Sequence, residues 1–399
     1  MNQIVFLLEQ GKDVHIYSLY PGDFKNLHAQ YRGYSLEGKV TYIANIPDSL
    51  TKRLKESFEF FKKEGFWKNI VIGIKSMNPM AFGLSALKLT YLLFYSRLKS
   101  IEGYDLVHVH FGNMGVFYAN FVAFGFFKHL PYLVSFHGYD LVPNQTEINR
   151  QRYGKMLLSA KLFTVNSNYT RSLLEKVDLS INRKVRMLPE SLDTSLFEGS
   201  MDSSATRKDI VFRLVYVGRL VGWKGADRAL DIIEKLMEDF GLKNVELTII
   251  GNGPLQRKLE ETVKEKGLNG HVKLLGGQDQ SSIKTILGQS DLFLYTGRRE
   301  SITERAENQG LVLMEAQAMG VPVVAFEVGG LSEGLIHGET GILVESEDVE
   351  AFSKSVYSLL QDEPKRLAMG IAAREFVKKH FDQKVLGNQL LEIYQEVLK

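Results

Sequence analysis

Short apolar runs recur along this chain at 105–110, 132–136, 162–165 and 185–188, and again at 212–217, 245–250, 272–275, 292–295 and 321–326. Stretches of helical periodicity lie between many of them. A strand that is apolar along its whole length needs cover on both faces, and a parallel sheet wound between helices supplies it. The series stops once. Residues 198–209, Glu-Gly-Ser-Met-Asp-Ser-Ser-Ala-Thr-Arg-Lys-Asp, are small, polar and aperiodic, and read as a linker. The pattern predicts two doubly wound α/β domains. Their ligands belong in a cleft at the carboxyl ends of the strands.

Further helices are predicted at 2–10, 50–63, 82–98, 226–240, 253–266, 281–288, 311–319, 349–361 and 364–380, and further strands at 13–19 and 40–44. A chain of 399 residues can bury two such cores. Its net charge of +2 provides no global field for nucleic acid. The absence of cysteine excludes disulfides, zinc–thiolate sites and a cysteine nucleophile, and fits a reducing cytoplasm. No basic–apolar–small leader opens the sequence. The apolar run 114–127 is shorter than the ~20 residues of a membrane span and carries Asn120, so it reads as a buried helix.

The chemistry concentrates in the second half. Glu307 and Glu315 stand eight positions apart across Asn308, Gln309, Gly310 and Leu311, and lead into Ala-Gln-Ala-Met-Gly-Val-Pro-Val-Val-Ala. The first reads as part of an entry loop and the second as lying inside a helix. The pair can therefore hold two separated parts of one elongated ligand, with free helix N–H groups facing an anion between them. A sugar nucleotide has that layout. After strand 212–217, Gly218 is expected to let the chain turn sharply. Arg219 and Lys224 offer a guanidinium fork and a point charge suited to a diphosphate. Taken alone they read equally as solvated loop cations. Gly251-Asn-Gly-Pro254 reads as a wall of the cleft, and 271–277 as backbone on which a base could rest. His137 follows strand 132–136 and can donate to a substrate oxygen, or be an ordinary loop histidine. His108 and His110 alternate on one strand and point to the same side. No third ligand stands at a metal-binding spacing, so they read as core or supporting residues. Residues 51–75 carry seven Lys/Arg against three Glu, interleaved with Phe58, Phe60, Phe61, Phe66 and Trp67. That mixture suits an anionic membrane surface or an ordinary amphipathic surface helix.

In order, the sequence contains Phe136-His-Gly-Tyr-Asp140, Gly218-Arg-Leu with Trp223-Lys-Gly225, and Gly251-Asn-Gly-Pro254. The Glu-x7-Glu segment follows, and then Gly329-Gly-x-x-Glu333 with Gly338-x-Thr-Gly341. This resembles the retaining GT-B-fold glycosyltransferases of family four, to which bacterial exopolysaccharide, capsule and lipopolysaccharide sugar transferases belong. The resemblance covers nearly the whole chain and is strongest over 211–345. It implies two Rossmann-like domains: an acceptor-side domain at 1–195, a linker at 196–209, a nucleotide-sugar domain at 210–380, and a helix at 381–399 that crosses back to the first. Leu390, Leu391, Tyr394 and Val397 would form the apolar stripe of that helix. It also implies that Arg219 and Lys224 bind the diphosphate and that Glu307 holds the transferred sugar. Glu315 would hold the ribose, Asn308 to Leu311 would offer backbone to sugar or phosphate, and His137 would face the donor sugar. No metal or other cofactor is implied. The expected partners are a nucleotide sugar, a glycan or lipid-linked acceptor and the inner face of a membrane, with a cytoplasmic location.

Three departures stand out. Met1 falls inside the first helix, where the family has a strand and a Gly-rich loop, so a misassigned or truncated start, or an impaired protein, is one expectation. Asn308-Gln309 replaces the usual Gly-Phe. The charged loop 297–306 holds Arg298 and Arg299, which read as solvated charges or as contacts for an acidic acceptor. A nucleotide-sugar epimerase, a phosphorylase and a catalytically weak sugar-nucleotide-binding protein remain alternatives on the same two-domain shape.

Overall fold

A computed structural model describes residues 1–22, 29–197 and 211–399 of the chain, so the linker segment 198–209 lies outside the described residues. The second domain is a six-stranded parallel sheet, and the first holds two separate parallel sheets. The strands are β1 (Ile16–Ser18), β2 (Val40–Tyr42), β3 (Val107–His110), β4 (Tyr132–Phe136), β5 (Leu162–Val165), β6 (Val185–Met187), β7 (Phe212–Val217), β8 (Val245–Ile250), β9 (Val272–Leu274), β10 (Leu292–Tyr295), β11 (Val323–Phe326) and β12 (Gly341–Val344).

The second-domain sheet runs β12-β11-β10-β7-β8-β9. The order reverses beside β7, which places the ends of β7 and β10 at the switch point where open α/β sheets bind ligands. Strands β4, β5, β10 and β11 are buried at every position, as their unbroken apolar runs require. In the first domain β3-β4-β5-β6 form one sheet and β1-β2 a second, smaller one, and no strand bridges them among the described residues. The predicted helix at 82–98 is three pieces, Pro79–Phe82, Leu84–Lys88 and Thr90–Leu98, because Gly83 and Leu89 both take positive φ. Helices Thr146–Ser159 and Asn168–Val177 and strand β12 were not anticipated.

The chain crosses between the domains twice, side by side. Leu192 N–H donates to Phe381 O at 2.8 Å, and Gln383 N–H donates to Leu192 O at 2.8 Å. Phe197 already packs in the core of the second domain. Helix Gln383–Leu398 returns to the first, where Leu390, Ile393 and Val397 pack with Leu7, Leu133, Leu162 and Leu188. Ile393 therefore sits in the centre of the buried stripe, and Leu391 and Tyr394 flank it.

Candidate active site

The carboxyl end of β7 runs through Gly218, Arg219 and Leu220 into a turn, Gly222–Lys224, that opens helix Ala226–Glu238. Gly218 does not take positive φ, contrary to the expectation for a sharp turn. Its carbonyl instead lies where a Cβ on Gly251 would collide, so the demand for glycine falls on its neighbour across the sheet. Leu220 N–H donates to Asn252 O at 2.9 Å, and Asn252 Oδ1 accepts from Gly277 N–H at 2.7 Å. These bonds join the three strand-end loops into one wall.

Lys224 Nζ pairs with Glu307 and lies 4.5 Å from the centre of the Trp223 ring. The Tyr295 hydroxyl, at the end of β10, donates to the same Glu307 oxygen, and Asn308 N–H donates to the other at 3.3 Å. Burial pushes the Glu307 carboxyl up, but the Lys224 ammonium and these two donors outweigh it and hold it below its usual range. Burial and the adjacent carboxylate push the Tyr295 hydroxyl well up, which keeps it a donor. Glu307 is thus an ionised, oriented acid in the absence of ligand.

Gly310, at φ +70°, caps helix Leu311–Ala318 without a side-chain cap. The Leu311 and Val312 N–H groups make no hydrogen bond among the described residues. Inside this helix Glu315 has no polar partner among the described residues, and burial alone pushes its carboxyl up to about 7. Arg219 is exposed, with its guanidinium 5.8 Å from the Trp223 ring centre and no acid partner among the described residues. One free guanidinium and two free N–H groups therefore accompany a preset acid and an unpaired one, an arrangement that suits a molecule with hydroxyls at both ends and an anion in the middle.

The first domain closes over this surface through Asn308 and Gln309. Gln309 is 5% exposed; its Oε1 accepts from Glu190 N–H at 2.7 Å, and its Nε2 donates to Glu190 O at 2.9 Å. Asn308 Oδ1 accepts from the Thr170 hydroxyl at 3.1 Å, and its amide fills the space a Cβ on Gly138 would need. Gly138 also sits at φ +84°, so both backbone and space call for glycine there. Glu333 accepts from Asn168 N–H at 2.8 Å and Tyr169 N–H at 3.2 Å, capping helix Asn168–Val177 from across the cleft. Arg298 is bound to Asp227 at 2.5 Å, and Arg299 lies over the Tyr169 ring at 5.5 Å. Arg298 is thus tied to the domain, in contrast to the solvated charge expected from the sequence, whereas Arg299 remains exposed, as expected.

His137 reaches the cleft with both ring nitrogens engaged: Nδ1 with Glu190 and Nε2 with His110 Nδ1 at 3.0 Å. Tyr295 and Glu190 went unremarked as site residues, and His110, read from the sequence as a core or supporting residue, is exposed and bonded to His137. For Tyr295 and Glu190 a signal existed, since each is a polar group at the carboxyl end of an apolar run.

The profile of the glycosyl transferases group 1 family matches residues 203–376. The amylovoran biosynthesis glycosyltransferase AmsK of Erwinia amylovora is 27% identical over 412 residues, covering 100% of this chain and 95% of its own. A GDP-mannose-dependent phosphatidylinositol monomannoside mannosyltransferase of Mycolicibacterium smegmatis is 27% identical over 65% of this chain and 69% of its own. Among solved structures, Anabaena HepE in complex with UDP-glucose superposes with a TM-score of 0.69 at 17% identity, over 99% of this chain and 94% of that one. The architecture is the GT-B fold, shared with this structure.

Proposed function

We propose that the chain, similar to the group 1 glycosyltransferases over residues 203–376, is a nucleotide-sugar-dependent glycosyltransferase that transfers a sugar, with retention, from a UDP- or GDP-linked donor to a hydroxyl of a glycan or lipid-linked glycan in cell-surface polysaccharide assembly. The observation that carries this reading is the contrast around helix Leu311–Ala318: Glu307 preset by Lys224 and Tyr295, Glu315 unpaired, and free N–H groups between them. Arg219, Lys224 and the N–H groups would take up the charge that grows on the diphosphate as the glycosidic bond breaks. Glu315 would accept from the ribose hydroxyls and Glu307 from the transferred sugar, fixing the donor for attack. Asn308, Gln309 and Gly310 would line the sugar with backbone. The closed contacts at Gly138 and Glu190 would exclude water. A polysaccharide role fits the amylovoran relative, which matches over its nearly full length.

A second observation bears on the acceptor. Phe58, Trp67, Ile74, Met80 and Leu84 are 70%, 84%, 68%, 98% and 78% exposed on consecutive first-domain elements, among Lys62, Lys63 and Lys75. Apolar side chains among cations fit an anionic bilayer carrying a lipid-linked acceptor. No described helix is long and apolar enough to cross a membrane.

Thermal-shift titration with UDP- and GDP-sugars tests the donor reading. A rise in melting temperature with one base, lost in Arg219→Ala, is expected. No rise with either base removes the reading, and conversion of one sugar nucleotide into another without acceptor replaces it with an epimerase. Binding to vesicles containing phosphatidylglycerol, lost in Trp67→Ser with Met80→Ser, is expected. Failure to bind them removes the membrane contact.

A further inference from the structure

Glu307 has two oxygens, and the fold treats them differently. Lys224 Nζ and the Tyr295 hydroxyl both meet Oε2, while among the described residues Oε1 has the Asn308 N–H alone, at 3.3 Å. Chemistry fixes who donates. An ammonium has three N–H donors and no acceptor, so within this trio the Tyr295 proton can go only to the carboxylate. The Tyr295 oxygen in turn faces Lys224 Nζ at 3.4 Å. Each carboxylate oxygen has about two lone-pair sites. Two donors fill those of Oε2, and the N–H on Oε1 is long for such a bond. The acceptor capacity left to Glu307 is therefore on Oε1.

The two donors differ in stiffness. Lysine is a point charge on a flexible stem, and its three donors rotate freely. Tyr295 ends β10, is 3% exposed, and stands among pinned loops. The Thr296 hydroxyl donates to Gly225 O at 2.7 Å, and the Tyr216 hydroxyl donates to Lys224 O at 3.0 Å. Arg298 N–H donates to Trp223 O at 2.8 Å. A Cβ on Gly297 would lie 2.8 Å from the Tyr295 ring, so the chain passes close against the phenol. Lys224 thus supplies charge, and Tyr295 supplies direction.

From this geometry we propose that Tyr295 is a positioning residue for recognition of the transferred sugar: with Lys224 it saturates Glu307 Oε2 and so aims Oε1 at a single sugar hydroxyl. The inference rests on the donor reading above, in which Glu307 holds that sugar. Tyr295 moves no proton, and the transfer keeps the course proposed there. Without the phenol, Lys224 would still keep the carboxylate charged, but the carboxylate could turn and share the ammonium between both oxygens. The sugar end should loosen, while a nucleoside diphosphate, held by Arg219, the helix N–H groups and Glu315, should bind as before.

Thermal-shift titration separates the two ends. The probes are UDP-glucose, UDP-N-acetylglucosamine and GDP-mannose, and the one that stabilises the parent most is compared with its own nucleoside diphosphate. In Tyr295→Phe the dissociation constant of the sugar nucleotide should rise about tenfold, and that of the nucleoside diphosphate should stay within about twofold. The ratio of the two constants, in which titration of Glu315 cancels, should have its acid limb at higher pH in this variant, because Glu307 loses a donor that stabilises its charge. A packing role for the ring would not move that limb. Gly297→Ala presses a Cβ on the ring without removing the hydroxyl, and should show the same split between the two ligands. Sugar-nucleotide affinity close to the parent's in either variant, an equal loss for both ligands, or an unmoved acid limb in Tyr295→Phe would each overturn the assignment. A parent stabilised by none of the three sugar nucleotides would sink the donor reading and this one with it.

Discussion

Glu307 and Glu315 stand at opposite ends of one short surface, and their surroundings are opposite. Glu307 has a lysine, a tyrosine and a backbone N–H on it before any ligand arrives. Glu315 has no polar partner among the described residues and a carboxyl that burial pushes up to about 7. The first end is organised by the fold at the cost of holding a buried ion pair. The second is left incomplete, so the ligand must supply the hydrogen bonds that make its charge comfortable. Between them the two carboxylates show how one helix start can be rigid at the end proposed to hold the transferred sugar and responsive at the end proposed to hold the nucleoside.

The largest effect should come from breaking the preset end. Glu307→Gln should lower transfer by about 10²–10³-fold with the fold intact. Lys224→Ala should do the same and also cost about 3 kcal/mol in urea unfolding, because it strands a mostly buried carboxylate. Unchanged stability in Lys224→Ala would show that the pair does not organise this end.

The next effect sharpens the responsive end. Unfolded, Glu315 releases its proton near the ordinary 4.5; folded, it does so near 7. Between those values the native state holds more protons than the unfolded state, so this group's contribution to stability falls as pH rises through that window and is flat above it. The full loss is on the order of 3 kcal/mol. Glu315→Gln should remove that slope and be more stable than the parent at pH 8, yet bind donor about tenfold more weakly. In the parent, donor affinity should rise with pH up to about 7, since ribose hydroxyls favour the ionised form. A parent and a glutamine variant with superimposable stability–pH curves would erase the contrast.

The smallest effect tests what closes the cleft over both ends. Gln309→Ala removes two hydrogen bonds to the Glu190 backbone, and should cost about 1–2 kcal/mol of stability and raise donor KM a few-fold. A variant with unaltered KM would mean that closure rests on Glu333 and Asn308 alone.

Much of the fold was legible because its strands are short, wholly apolar and bounded by polar turns. The runs at 132–136, 162–165, 212–217, 245–250 and 292–295 are the observed β4, β5, β7, β8 and β10. Helix Thr146–Ser159 escaped because Glu147, Arg150, Arg152 and Lys155 leave it little apolar periodicity. Strand β12 escaped because it is four residues long and opens on glycine. The acids and cations near the donor surface sit close together in sequence at strand and helix ends, where backbone geometry exposes them. The pairing of His110 with His137 and of His137 with Glu190 is different in kind. Those residues are 27 and 53 positions apart, and only the register of a parallel sheet brings them together. The replacement at Asn308-Gln309 was visible, but its meaning was not: both side chains reach into the other domain, and nothing local records that.

The packing of helix Gln383–Leu398 has a consequence for biosynthesis. The face of the four-stranded sheet that carries Leu133, Leu162 and Leu188 is covered in part by residues at the far end of the chain. A nascent polypeptide emerges amino-terminus first. Part of that oily surface therefore stays uncovered on the ribosome through translation of the entire second lobe, until helix Gln383–Leu398 has emerged. The opening half of this polypeptide must wait, chaperoned or at risk of clumping, for that helix before its packing is finished.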